Sequence, residues 1–136
     1  MEPFVIMLME KNKDSGILEK EIENYTISNH GNLIENIYMI HEEEKDLVYV
    51  KITTDKDVED WEFSAILDYY DEDALKDVAL SCKEIEETYN PTWEVVVEFI
   101  PIQDEMQKKL EDLLNKHKQQ LDEVYDTIKD KKEEYK

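Results

Sequence analysis

Asp55, Asp57 and Glu59 alternate, with Asp60 next to them, and alternating acids are how a calcium-binding loop begins. The pattern then breaks. An EF-hand loop needs glycine at its sixth position and glutamate at its twelfth, where this chain has Asp60 and Ile66. A weak divalent site made of these acids and Asp71–Asp73 is the chemical reading, set against a polar hairpin loop at the rim of a sheet. Acid–base catalysis would need two carboxylates in different environments. Glu62 and Asp68 lie on the same side of an alternating stretch, where partial burial of one would be needed and a solvated face is the stronger expectation.

The nucleophile and ligand inventory is short. Cys82 is the single cysteine and sits at an apolar position, as a small hydrophobe would. His30, His41 and His117 are scattered and no pair has metal-ligand spacing. His117 falls on an apolar stripe, where a core or interface histidine is expected. Trp61, Phe63, Tyr69, Tyr70, Tyr89 and Trp93 could line a ligand cleft, although aromatics in a small domain chiefly build the core. Two glycines leave nothing for a phosphate-cradling loop. No cofactor motif is found, and the residue inventory favours a protein that is not an enzyme.

Charge is the strongest compositional signal. The 136 residues carry 36 acids against 16 bases, a net charge of −20, and every base is lysine. Without arginine the bidentate forks that grip phosphate are missing, and direct nucleic-acid binding would have to overcome repulsion. The charge is uneven: residues 103–136 hold 10 acids and 8 lysines, whereas residues 1–102 carry the other 26 acids and 8 lysines. That asymmetry places a boundary between an acidic α+β domain, 1–102, and a C-terminal amphipathic helix, 103–136.

The elements that would position these residues follow from periodicity. Phe4–Met9 is apolar on both faces, as in a covered strand, and Asn12–Gly16 is turn chemistry leading to a second strand over Ile17–Ile27. Leu33, Ile34, Ile37, Tyr38 and His41 recur at helical spacing behind Ser28 or Asn29 as a cap. Leu47–Thr54 is β-branched and aromatic, a strand. Trp61, Phe63, Ala65, Leu67 and Tyr69 alternate with polar neighbours, which predicts a central strand with acids at both ends. Leu75–Tyr89 reads as a helix capped by Asp71 or Asp73, with Lys83–Tyr89 open to an edge strand instead. Trp93–Ile100 is a strand with Trp93, Val95, Val97 and Phe99 on one face.

From Asp104 nothing breaks a helix. Met106, Leu110, Leu113, His117, Leu121, Val124, Ile128 and Tyr135 form its stripe, repeating at eleven residues, which implies a nearly straight helix of roughly 45–50 Å. Its end, Lys129–Lys136, is expected to project. The order β-β-α-β-β-α-β-α gives an α+β fold: a largely antiparallel sheet of about five strands with helices on one face.

Val58–Ile66, Asp68–Asp71 and Tyr89–Val95 resemble the signature stretches of a family of small acidic clostridial proteins without a characterised function. The resemblance covers roughly residues 1–100 and implies no activity, ligand or catalytic residue. The lysine-only bases also fit an AT-rich bacterial genome. No basic leader precedes Phe4–Met9 and no apolar run approaches the roughly 20 residues of a membrane span, so a cytoplasmic location is expected.

The expectation is a non-enzymatic acidic interaction or regulatory module for a protein partner with a basic surface, with a homodimer through the C-terminal helix as an option. The alternatives are a nucleic-acid mimic that blocks a basic DNA-binding protein, and a small-molecule binder or enzyme using the region around Trp61 and Tyr89. The candidate surface is Asp57, Glu59, Asp60, Asp68, Tyr70, Asp71 and Asp73, forming two acidic rims roughly 25 Å apart along the strand.

Overall fold

The computed structural model describes residues 4–135. Six strands form one open sheet: β1 (Phe4–Lys11), β2 (Leu18–Ile27), β3 (Ile34–His41), β4 (Asp46–Thr53), β5 (Ser81–Glu84) and β6 (Thr92–Glu98). Their spatial order is β2-β1-β3-β4-β6-β5. Neighbours are antiparallel except β1 and β3, which run parallel and meet at Glu10 and Met39. Two helices complete the fold, α1 (Asp60–Tyr69) and α2 (Gln103–Ile128). The α+β class, the mostly antiparallel sheet and the long C-terminal helix are as the sequence predicts.

Local chemistry sets the first hairpin. The Asn12 side chain accepts from the backbone N–H of Asp14 (2.8 Å) and Ser15 (3.1 Å), and Gly16 takes φ 75° to turn the chain. On β4 and β6 alternate side chains point one way. Val48 lies opposite Val97, Val50 opposite Val95 and Ile52 opposite Trp93, and all six are buried in one core with the stripe of α2 and with Ala65 and Ile66 of α1. Full burial of each such side chain is worth about 1.5–3 kcal/mol. The stripe of α2 is therefore used within the chain, from Met106 through Leu110, Leu113, Leu114, His117 and Leu121 to Val124 and Ile128. A dimer through these residues would first have to undock the helix.

Three elements differ from the periodicity reading. Residues 34–41 form a strand where a helix is predicted. Met39 faces the core, while Tyr38 is buried on the opposite face, stacked on Tyr49 with ring centres 5.3 Å apart. Apolar residues on both faces of an interior strand mimic helical spacing. Residues 60–69 form a helix where the central strand is predicted. Its start is fixed by Glu62, whose carboxylate accepts the Glu59 backbone N–H (3.1 Å) as in a capping box. Residues 71–89 supply a 3₁₀ turn, Glu72–Leu75, and the short edge strand β5 instead of the helix predicted over Leu75–Tyr89, and that strand shares only Lys83 and Glu84 with the edge-strand alternative of Lys83–Tyr89.

The C-terminal end turns back instead of projecting. After Ile128 the chain makes a 3₁₀ turn, Lys132–Tyr135, against α1, and the Tyr135 hydroxyl donates to Asp68 (2.7 Å).

Candidate functional site

The acids named from sequence lie on α1 and its flanks, and their spread is that of a helix. The ten residues of α1 rise about 15 Å, less than a strand of that length would. Asp57, Glu59, Asp60, Asp68, Asp71 and Asp73 are all exposed. Asp57 accepts from the Asn90 side chain (3.0 Å). Glu59 sits at the N-cap and accepts from the Trp61 indole N–H (2.8 Å), with the Lys132 ammonium 4.0 Å away. Asp60 occupies the first turn, where negative charge favours the helix dipole. Asp68 stands in the last turn, where it does not, and the Tyr135 hydroxyl partly offsets it. Asp71 caps the following 3₁₀ turn through the Asp73 N–H (3.0 Å), and Asp73 pairs loosely with Lys76 (3.6 Å). From Asp55 to Asp77 the chain carries ten acids and two lysines, a net −8 in 23 residues.

Tyr70 does not belong to that surface. It is buried, stacked on Trp93 with ring centres 4.1 Å apart, and its hydroxyl meets His117 Nδ1 at 2.7 Å. His117 Nε2 lies 2.7 Å from the Thr53 carbonyl. A carbonyl can only accept, so Nε2 carries the proton and Nδ1 accepts from Tyr70. Burial pushes the imidazole down to about 4, against smaller raising effects of the Thr53 carbonyl and Asp55. His117 is thus neutral, with both nitrogens satisfied. It ties α2 to the end of β4 and the end of α1. The stripe position of this histidine in the sequence pointed to a core role; its two partners, 47 and 64 residues away, left no local trace.

Beside it, Asp55 receives the Lys118 ammonium (2.7 Å) and the Tyr125 hydroxyl (2.9 Å), while Lys118 also reaches Asp122 (2.8 Å). Partial burial pushes the Asp55 carboxyl up, but the bonds from Lys118 and Tyr125 outweigh it and hold it below the usual aspartate range. Asp55 is thus committed to docking α2. Among the described residues no three His, Cys, Asp or Glu side chains converge as a metal would require.

The other sequence candidates are dispersed. Burial, then Glu72, pushes the Cys82 thiol up to about 12, which keeps it protonated and a poor nucleophile. It lines a small cavity of 160 Å³ with Glu72, Leu75 and Ala79. Burial and the nearby Glu84 raise the Glu72 carboxyl. Trp93 is in the core and Tyr89 is 82% exposed, so the two do not share one cleft wall. The apolar stripe of α2 does not mark Gln103, Gln107 and Glu111 as a group, and Gln107 reads from sequence only as part of a capping-box-like helix start over Asp104–Gln107. Their spacing of four on a helix was the signal that they share one face.

Fold and site together define an α+β protein with one open, mostly antiparallel sheet, a single helical layer and an acidic segment along the shorter helix. The chain belongs to a family of unknown function (DUF6762), whose profile matches residues 1–136, the whole chain and not only its first hundred residues. No curated protein and no solved structure matches it. Among the described residues no helix is long and apolar enough to cross a membrane.

Proposed function

We propose that this chain is a cytoplasmic, non-enzymatic interaction module that meets a basic protein surface through the acidic segment 55–77, and that its relatives are small acidic bacterial proteins with the same role. The observation carrying this reading is the exposure of Asp57, Glu59, Asp60, Asp68, Asp71 and Asp73 together on α1 and its flanks. Such a concentration of one sign steers a partner of opposite charge and selects against acidic ones.

The test compares two charge-reversal variants of equal net charge. One carries Asp57→Lys, Asp60→Lys and Asp73→Lys. The other carries Glu19→Lys, Glu43→Lys and Glu98→Lys, exposed positions on the sheet strands and their turns. A partner captured from the native cell should bind the first variant at least about tenfold more weakly and the second nearly as well as the unaltered chain. Equal weakening of both would reduce the effect to bulk charge and overturn the proposal. Displacement of that partner by duplex DNA would transfer the same acids to the nucleic-acid-mimic reading.

A further inference from the structure

The two edges of the sheet are protected differently. β5 is four residues long, and Lys83 and Glu84 end it with charge. A short, charged edge is a poor template for another strand. β2 is ten residues long and lies at the other edge. Its first half, Leu18–Glu23, reads L-E-K-E-I-E and carries its own charges. Its second half, Asn24–Ile27, reads N-Y-T-I and has none. Tyr25, Thr26 and Ile27 have strong β propensity, and the outward backbone groups of this half have no partner strand among the described residues, the combination that invites strand addition.

Helix α2 meets that half with polar side chains. The Gln103 side-chain amide donates to the Asn24 carbonyl (2.8 Å). The Gln107 carbonyl oxygen accepts from the Thr26 N–H (2.8 Å), and the Glu111 carboxylate accepts from the Ser28 N–H (3.2 Å). Residues at i, i+4 and i+8 line one helix face, while residues 24 and 26 of the edge strand, and Ser28 just past its end, point their backbone groups the same way. Three side chains thus occupy three successive outward positions, as a neighbouring strand would.

We propose that Gln103, Gln107 and Glu111 are a self-capping device that stands in for a seventh strand and prevents the uncharged half of β2 from pairing with the same half-strand of a second copy. The test is the full chain with Gln103→Ala, Gln107→Ala and Glu111→Ala, its mass followed by light scattering against concentration. The mass should climb towards twice that of the unaltered chain as concentration rises. Adding Thr26→Pro should abolish the increase, because proline removes the central outward N–H at an edge position that tolerates it. A mass that tracks the unaltered chain at every concentration, or a dimer that survives Thr26→Pro, overturns the proposal. Should the triple variant fail to fold, Gln107→Leu removes only the central acceptor. Amide exchange at Thr26 should then quicken about tenfold and slow again in Gln107→Glu, which restores an acceptor. Unchanged protection of Thr26 in Gln107→Leu would equally overturn it.

Discussion

His117 illustrates how one buried polar group can be costly and still specify the fold. Its Nε2–H is used by Thr53 and its Nδ1 by Tyr70, so neutral imidazole satisfies every polar atom at the site. Protonation would put a charge among Trp93, Tyr70 and the α2 stripe, with Asp55 helping and Lys118 and His30 opposing. The folded-state value, about 4, lies below the ordinary 6.5, so the unfolded chain binds this proton more readily. The contribution is complete above pH 6.5 and is lost as pH falls towards 4, reaching about 3 kcal/mol at about 1.4 kcal/mol per pH unit. Gln at position 117 can donate and accept in the same sense without titrating. Denaturant unfolding at pH 7 and pH 4 should therefore show a loss about 3 kcal/mol larger in the unaltered chain than in His117→Gln. Equal losses would place the acid sensitivity in the carboxylates, Asp55 first among them.

At the scale of elements, α1 depends on its surroundings more than on its own composition. It is ten residues long, below the length at which isolated helices persist. Ala65 and Ile66 give it a buried face, Glu62 caps it, and the C-terminal return of the chain contacts its far end. The return is held by, among other contacts, the Tyr135 hydroxyl on Asp68, the Lys132 ammonium near Glu59, and the Lys131 ammonium 5.4 Å from the Tyr69 ring centre. The Lys132–Glu59 pair is exposed and contributes little. Ending the chain at Ile128 should cost on the order of 1–2 kcal/mol and quicken amide exchange in α1 while leaving that of β4 and β6 near its original rate. Unchanged exchange in α1 would show that the return only rests on the helix.

For the whole molecule, net −20 on 136 residues sets a self-repulsion that salt relieves. Individual ion pairs pull the other way. Lys13–Glu42 (2.8 Å) and Lys118–Asp55 (2.7 Å) weaken as salt screens them. Surface pairs are worth roughly 0–1 kcal/mol each, whereas the surplus of acids acts over the entire surface. Raising ionic strength from about 0.01 M to 0.3 M should therefore raise Tm, by about 4 °C for each 1 kcal/mol gained. A fall in Tm would mean that the pairs outweigh the repulsion. The acidic segment 55–77 contributes net −8 to this field, so the same salt that stabilises the chain should weaken its binding to a basic partner.

The sequence by itself determined whatever depends on neighbours in the chain. The Asn12–Gly16 turn, the strands near Leu47–Thr54 and Trp93–Ile100 and the long stripe of α2 are written in local chemistry and unbroken periodicity. The exposed acids on either side of Trp61 were visible as charge. Tertiary structure decided the state of residues 34–41 and 60–69. Tyr38 and Met39 are both buried because Met39 faces the core while Tyr38 lies between Tyr49 and Lys11 on the other face, which erases the period of two, and the alternating aromatics of α1 imitate that period by coincidence. Tertiary structure alone also brought Tyr70 inward to His117, joined Asp55 to Lys118 across 63 residues and laid Gln107 on Thr26 across 81. Those bonds join side chains and backbone groups far apart in sequence, and no local pattern encodes which distant partner a polar group will meet.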